Sequence, residues 1–306
     1  MRVRFLELEI TDKCQLFCKH CYGNFPRKGE LPKWKIEQII DQAQRDFDCL
    51  IFSGGEPFSH RDLIGLLRHA DKRGFSVHIT TSGYKIPRKM IEDLPDNAFL
   101  VYSLDGIGKV HDEYRGMPGA YEKLIESLEY TKTKLKFNEI VTILWKGNAG
   151  QLNEMVKLAE RYRSIIHFNS LIPVGRVKEN QEIRLTTEEN ERLYNAISEL
   201  MNEFSFILTD LYEVTEKDRL HGIDLFCKGR FSIDTEGNVH PCEYLRWISF
   251  GNIFNGELPE IIERARKTPF IEAREEGFKN HIPLDLPDPF DYHSQICHRV
   301  AERLGD

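Results

Sequence analysis

Seven cysteines are spread unevenly over 306 residues, and three of them, Cys14, Cys18 and Cys21, fall within one short segment. The spacing, C-x3-C-x2-C, gives that segment three thiolates, enough for three corners of a cubane iron–sulfur cluster. The fourth iron then stays open to a substrate or cofactor. An electron-transfer cluster takes four protein thiolates. A structural zinc site pairs a C-x2-C with a distant second pair. Zinc, or free thiols on a loop, is what the spacing alone leaves open. Cys227, Cys242 and Cys297 form a second, wider group. Cys49 stands inside the apolar run Cys49-Leu50-Ile51-Phe52 and reads as a small buried hydrophobe.

The cysteine segment directly follows a candidate strand at residues 4–10. Further strands are expected at 49–52, 76–81, 98–103, 139–144 and 165–169, with helical patterns at 33–45, 61–73, 87–93, 120–132 and 151–162 between them. The strands read as apolar on both faces, as parallel strands covered by helices are. The alternation predicts an α/β fold. Six strands with crossovers fall short of a closed eight-stranded barrel, so an open, partial (β/α)6 barrel is expected. Loops at the C-terminal ends of its strands carry the chemistry in such folds. Thr186-Thr187-Glu188-Glu189 is a capping box for a helix reaching about Glu203. A small C-terminal α+β extension follows, giving expected units of 1–210 and 211–306.

The other strand ends carry polar turns at the same rim. Ser53-Gly54-Gly55-Glu56-Pro57 follows the second strand, Thr80-Thr81-Ser82-Gly83 the third, and Ser103-Leu104-Asp105-Gly106 the fourth. His111-Asp112-Glu113-Tyr114-Arg115-Gly116 comes next. Each alone is an ordinary turn; four at one rim point to a shared ligand. Net charge is −7, so no general basic field is available for nucleic acid. No apolar run approaches the length of a membrane span and the first residues lack a signal-peptide core, so a cytoplasmic, reducing setting is expected.

Over roughly residues 1–180 this ensemble resembles the radical S-adenosylmethionine (SAM) superfamily. The resemblance implies that Cys14, Cys18 and Cys21 ligate a [4Fe–4S] cluster whose open iron chelates SAM. It implies that Gly54, Gly55 and Glu56 face the SAM ammonium, with Ser82 and Tyr22 beside the cofactor. Ser103 and Asp105 would lie near the ribose and methionine, and Leu171 beside the adenine. Arg115, with its bidentate fork, suits the SAM carboxylate. The residue before the third cysteine is usually apolar and aromatic in this superfamily; here it is His20.

The stretch Cys227…Gly237…Cys242, C-x9-G-x4-C, reads as a hairpin. It resembles the opening of a SPASM extension, which binds auxiliary iron–sulfur clusters. The middle C-x2-C-x5-C-x3-C block of a full extension is missing from the sequence, so the shortened, Twitch-like form with one auxiliary cluster is implied, closed by Cys297. His221 takes the position where some members carry a further cysteine, and His240, His293 and His298 are rival ligands. The expected chemistry is oxidative modification of a substrate C–H bond. A ribosomal peptide is favoured, with crosslinking, thioether formation or epimerisation as outcomes. A small-molecule dehydrogenase or epimerase is the alternative, and a zinc-binding interaction protein the alternative of another class. A ferredoxin- or flavodoxin-like electron donor is implied by resemblance, and a separate peptide-recognition protein is a possible partner.

Overall fold

The computed structural model describes residues 4–23, 25, 29–135, 137–209 and 229–275. A single nine-stranded sheet organises them. Its strands are β1 (Phe5–Thr11), β2 (Cys49–Gly54), β3 (Ser76–Thr81), β4 (Ala98–Ser103), β5 (Asn138–Ile143), β6 (Ile165–Asn169), β7 (Ile207–Thr209), β8 (Arg230–Ile233) and β9 (Val239–His240). The order across the sheet is β7-β6-β5-β4-β3-β2-β1-β8-β9. Every neighbouring pair is parallel except β8 with β9. The sheet does not close, so the architecture is the open partial α/β barrel expected from the strand–helix alternation.

Helices α1 (Lys33–Ala43), α2 (Leu63–Lys72), α3 (Arg88–Glu92), α4 (Lys109–Arg115), α5 (Ala120–Lys134), α6 (Leu152–Arg161) and α7 (Thr187–Glu203) connect the parallel strands. Thr186 caps α7: its hydroxyl accepts from the Glu189 N–H, and the Glu189 carboxylate accepts from the Thr186 N–H. Helices α8 (Leu258–Ala265) and α9 (Pro269–Glu275) follow β9. Among the described residues no helix is long and apolar enough to cross a membrane.

Two features differ from the sequence expectation. The strands are not apolar on both faces. Leu6, Leu8, Ile10, Leu50, Phe52, Val77, Ile79, Leu100, Ile140, Ile166 and Phe168 are buried in the main core. The alternate positions, among them Glu7, Ser53, His78, Thr80, Ser103, Glu139, His167 and Asn169, line a cavity instead. The period of two sends each strand's polar set to the inner face. Second, β8 joins the main sheet beside β1, with Phe5 opposite Arg230 and Leu8 opposite Ile233. Its Phe231 and Ile233 belong to the main core, while Arg230 lies on the inner wall.

The stretch after β9 is bolted to α1. Lys35 Nζ donates to the Ile253 carbonyl at 2.9 Å, and Arg266 pairs with Asp46 at 2.6 Å. The Leu258 N–H donates to Gln42 Oε1 at 2.9 Å. The expected division at residue 210 falls at the start of a stretch outside the described residues, as do Cys227, Cys297, His221, His293 and His298.

Candidate active site

The three-cysteine loop leaves the C-terminal end of β1 and is held from three directions. The end of α4 supplies two carbonyls: Phe17 N–H donates to Arg115 O at 3.1 Å and Lys19 N–H to Tyr114 O at 2.9 Å. The turn after β6 supplies Arg176, whose N–H donates to Cys21 O at 3.1 Å and whose guanidinium donates to Cys18 O at 3.1 Å. That guanidinium also stacks 3.6 Å from the centre of the Phe17 ring. The end of β2 supplies Gly55 and Glu56, whose N–H groups donate to Thr11 O at 2.7 Å and Lys13 O at 2.8 Å.

The glycines at this rim are needed for chain against chain. A Cβ on Gly54 would sit 2.3 Å from Thr11 O, and one on Gly55 would sit 2.4 Å from Lys13 O. A Cβ on Gly175 would meet Cys21 O at 2.2 Å, at a φ of +56°. Such close approach forces the cysteine loop onto the β2 and β6 ends.

Cys14, Cys18 and Cys21 all line one cavity of about 540 Å³. Burial pushes the Cys14 thiol up to about 12. It also raises Cys18, against the opposing pull of Arg115, whose Nη1 lies 3.6 Å from the Cys18 sulfur. The Phe25 N–H donates to Cys21 Sγ at 3.2 Å. Three thiols facing one space, with a fixed cation and an N–H directed at sulfur, fit a metal–sulfur cluster. Loading releases their protons.

The remaining expected cofactor residues divide. Gly54, Gly55, Ser82, Ser103, Arg115 and Tyr22 line the cavity with the cysteines. Glu56 is buried and hydrogen-bonded within the protein. Its oxygens accept from Thr81 Oγ1 (2.8 Å), Ser82 Oγ (2.6 Å), Ser82 N (3.0 Å) and Phe58 N (3.3 Å), which fixes the turn after β3. Asp105 is fully buried and pairs with Arg115 at 2.6 Å. It also accepts from the Ile143 N–H at 2.9 Å. Arg115 is therefore anchored on a carboxylate rather than standing free. Leu171 packs against Tyr114, Trp145, Val177 and Ile183 beside the cysteine loop. His20 stacks on Tyr114 at 4.7 Å, and Tyr114 on Trp145 at 4.4 Å. Burial, then the charge of Arg115, holds His20 well below the usual imidazole range, so the ring is neutral. Arg176, Tyr114 and Trp145 escaped the sequence reading; the aromatic spacing around the His-Asp-x-x-Arg motif was the only signal.

The second cysteine segment follows β9. Asp234 organises the hairpin, accepting from the Glu236 and Asn238 N–H groups at 3.0 and 2.9 Å and pairing with His240 Nε2 at 3.0 Å. His240 Nδ1 faces the Ile248 carbonyl at 2.7 Å. Both ring nitrogens of His240 are engaged within the hairpin. After Cys242, Glu243 and Tyr244 enter the cavity. Arg230 bridges Glu7 and Glu243, the latter at 2.7 Å, and Arg246 binds both oxygens of Glu9. Tyr22 and Tyr244 meet edge to face at 5.5 Å. Thus one cavity touches the segment of Cys21 and the segment of Cys242.

The model of the radical SAM superfamily matches residues 8–159. The chain belongs to this superfamily. The SPASM model, an iron–sulfur cluster-binding domain, matches residues 227–282, so the radical SAM enzyme carries a SPASM-type domain. Its cofactors are a [4Fe–4S] cluster and SAM, with an auxiliary iron–sulfur cluster in the SPASM-type domain. An AdoMet-dependent heme synthase of Methanosarcina barkeri is 28% identical over 86% of this chain and 82% of its own length. The mycofactocin maturase MftC of Mycobacterium ulcerans is 27% identical over 93% and 86%. Streptococcus suis SuiB bound to its precursor peptide SuiA shares the fold, with a TM-score of 0.70, 18% identity and coverage of 90% of this chain and 67% of that one. The structure of anSMEcpe with bound AdoMet gives a TM-score of 0.70 at 17% identity, over 99% and 98% of the two chains.

Proposed function

We propose that this enzyme oxidatively modifies a peptide at a C–H bond held in the cavity between its two cysteine segments. The supporting observation is the continuity of that cavity from Cys14, Cys18 and Cys21 to Glu243 and Tyr244, next to Cys242. When bound, SAM at the cluster supplies a 5′-deoxyadenosyl radical able to remove a hydrogen atom from an unactivated carbon. The chain's own part is to bind and orient: Ser82, Ser103 and Tyr22 shape the cofactor end, and the inner faces of β3, β5 and β6 receive the substrate.

An oxidative outcome needs an electron acceptor beside the substrate. Cys242, next to Glu243 and Tyr244 of the cavity wall, would give one a thiolate, and Cys227 and Cys297 would complete the set. His221 is a further candidate ligand. The SPASM match, residues 227–282, includes Cys227 and Cys242 and supports their part in it; Cys297 and His221 lie outside the matched residues. A peptide substrate is supported by likeness to MftC, a maturase, and to SuiB, whose structure holds a precursor peptide. A second reading, a small-molecule substrate, is favoured by the similarity to heme synthases.

The test is iron content after anaerobic reconstitution of a variant with Cys14, Cys18 and Cys21 all changed to Ala. Retention of about two to four irons per chain supports the acceptor. Complete loss of iron, where the unaltered chain binds about four, removes it and leaves a redox-neutral reaction.

A further inference from the structure

The cavity extends well below the cysteine rim. Glu139 lies four residues before the end of β5 at Ile143, about 13 Å deep at roughly 3.3 Å per strand residue. Its carboxylate faces the cavity with His78 from β3 and His167 from β6. His167 Nδ1 lies 3.2 Å from one Glu139 oxygen. The other oxygen has no partner among the described residues.

We propose that Glu139 anchors a cationic group of the substrate, the ammonium or guanidinium of a Lys or Arg side chain; this rests on the peptide reading above. The charges of the cavity carry the argument. Arg115 is already paired with Asp105, and Arg230 with Glu7 and Glu243. Among the described residues of the wall, no guanidinium or ammonium is paired with Glu139. A carboxylate on the cavity wall with only an imidazole beside it offers a charged acceptor to a ligand cation.

A second acceptor stands on the same wall. Asn169, the next inward position of β6 above His167, has a buried Oδ1 without a hydrogen-bond partner. Burial holds His78 below the usual imidazole range, with Glu139 opposing it. The wall therefore offers acceptors, and its guanidiniums already face carboxylates of the protein. A substrate rich in carboxylates would meet Glu139 as a like charge, with both guanidiniums already facing carboxylates of the protein. A Lys or Arg side chain reaching down the cavity satisfies Glu139 and keeps its own α-carbon nearer the cysteine rim, where hydrogen abstraction takes place.

The experiment is anaerobic calorimetric titration of the SAM-loaded holoenzyme with acetyl-Ala-Ala-Xaa-Ala-Ala-amide, Xaa being Lys, Arg, norleucine or Glu, and with iron coproporphyrin III. The Lys and Arg peptides are expected to bind at least about tenfold tighter than the norleucine peptide. Glu139→Gln should erase that preference. Glu139→Lys should shift the preference to the Glu peptide. Equal binding of Lys and norleucine peptides, binding of none of the four, or a preference that survives Glu139→Gln overturns the assignment. Binding of the porphyrin but of no peptide also overturns the peptide reading. A norleucine or Glu peptide that binds as tightly as Lys leaves that reading standing and removes only Glu139.

Discussion

The two cysteine segments serve related chemistry but are held by different forces. The loop of Cys14, Cys18 and Cys21 is fixed by backbone hydrogen bonds to the ends of α4, β2 and the turn after β6, with glycines where chains touch. The segment of Cys242 is fixed by buried ion pairs, Arg246 to Glu9 and Arg230 to Glu7 and Glu243, and by the Asp234–His240 hairpin. Burial pushes Glu9 up to about 7 against the pull of Arg246, and Glu243 up to about 8 against that of Arg230. Sterics secure the first segment and electrostatics the second. They should therefore fail under different insults.

The largest separation should come from the cysteines themselves. Changing Cys14, Cys18 and Cys21 to Ala should abolish formation of 5′-deoxyadenosine, whereas Cys242→Ala should keep SAM cleavage and lose oxidised product. Chromatographic quantitation of both products checks this; equal loss in both variants would erase the distinction. Arg246→Ala should cost about 4 kcal/mol in denaturant unfolding, because Glu9 is left buried without its cation. Glu9→Gln combined with Arg246→Met should recover most of that loss. Gly175→Ala should cost about 3 kcal/mol through strain at positive φ and contact with Cys21 O, and should lower iron at the first site only.

A smaller effect is expected from acid. Burial raises the Asp234 carboxyl, but hydrogen bonds from His240 and Asn238 outweigh it and bring it from 3.8 down to about 2. A lowered carboxyl stabilises the fold above its unfolded value, and that contribution disappears as pH falls through about 2. About 1–2 kcal/mol is expected from a shift of this size. Urea midpoints measured from about pH 4 down to about pH 2 should lose that slope in Asp234→Asn. The smallest effect is a gain. Gly65 lies within α2 with nothing near its missing Cβ, so Gly65→Ala should stabilise by about 0.5–1 kcal/mol at neither cysteine site.

Much of this was legible in the chain. β3, β4 and β6 fall on the expected residues, and α7 starts at its capping box. The short helix α4, carrying the His-Asp-x-x-Arg motif, and the three-residue β7 were not expected. Both are too short to show a period, and both are stabilised by neighbours distant in sequence. The internal partners of Glu56 and Asp105 were not legible, because a carboxylate type at a rim does not reveal what it faces. Buried, each must find partners, and each found them within the protein, Glu56 at Ser82 and Asp105 at Arg115.

The sequence by itself determined the local matters: which segments are strands and helices, and where three thiols leave the first strand. Those depend on periodicity, caps and spacing over a few residues. Only the tertiary structure decided that β8 pairs with β1 across more than two hundred residues, that the polar faces of the strands line one cavity, and that Arg115 and Arg230 are paired with carboxylates while Glu139 meets the imidazole of His167 and no guanidinium or ammonium among the described residues. Strand partners and charge partners are chosen by long-range packing, where a residue's type fixes what it needs and the fold fixes whether the need is met.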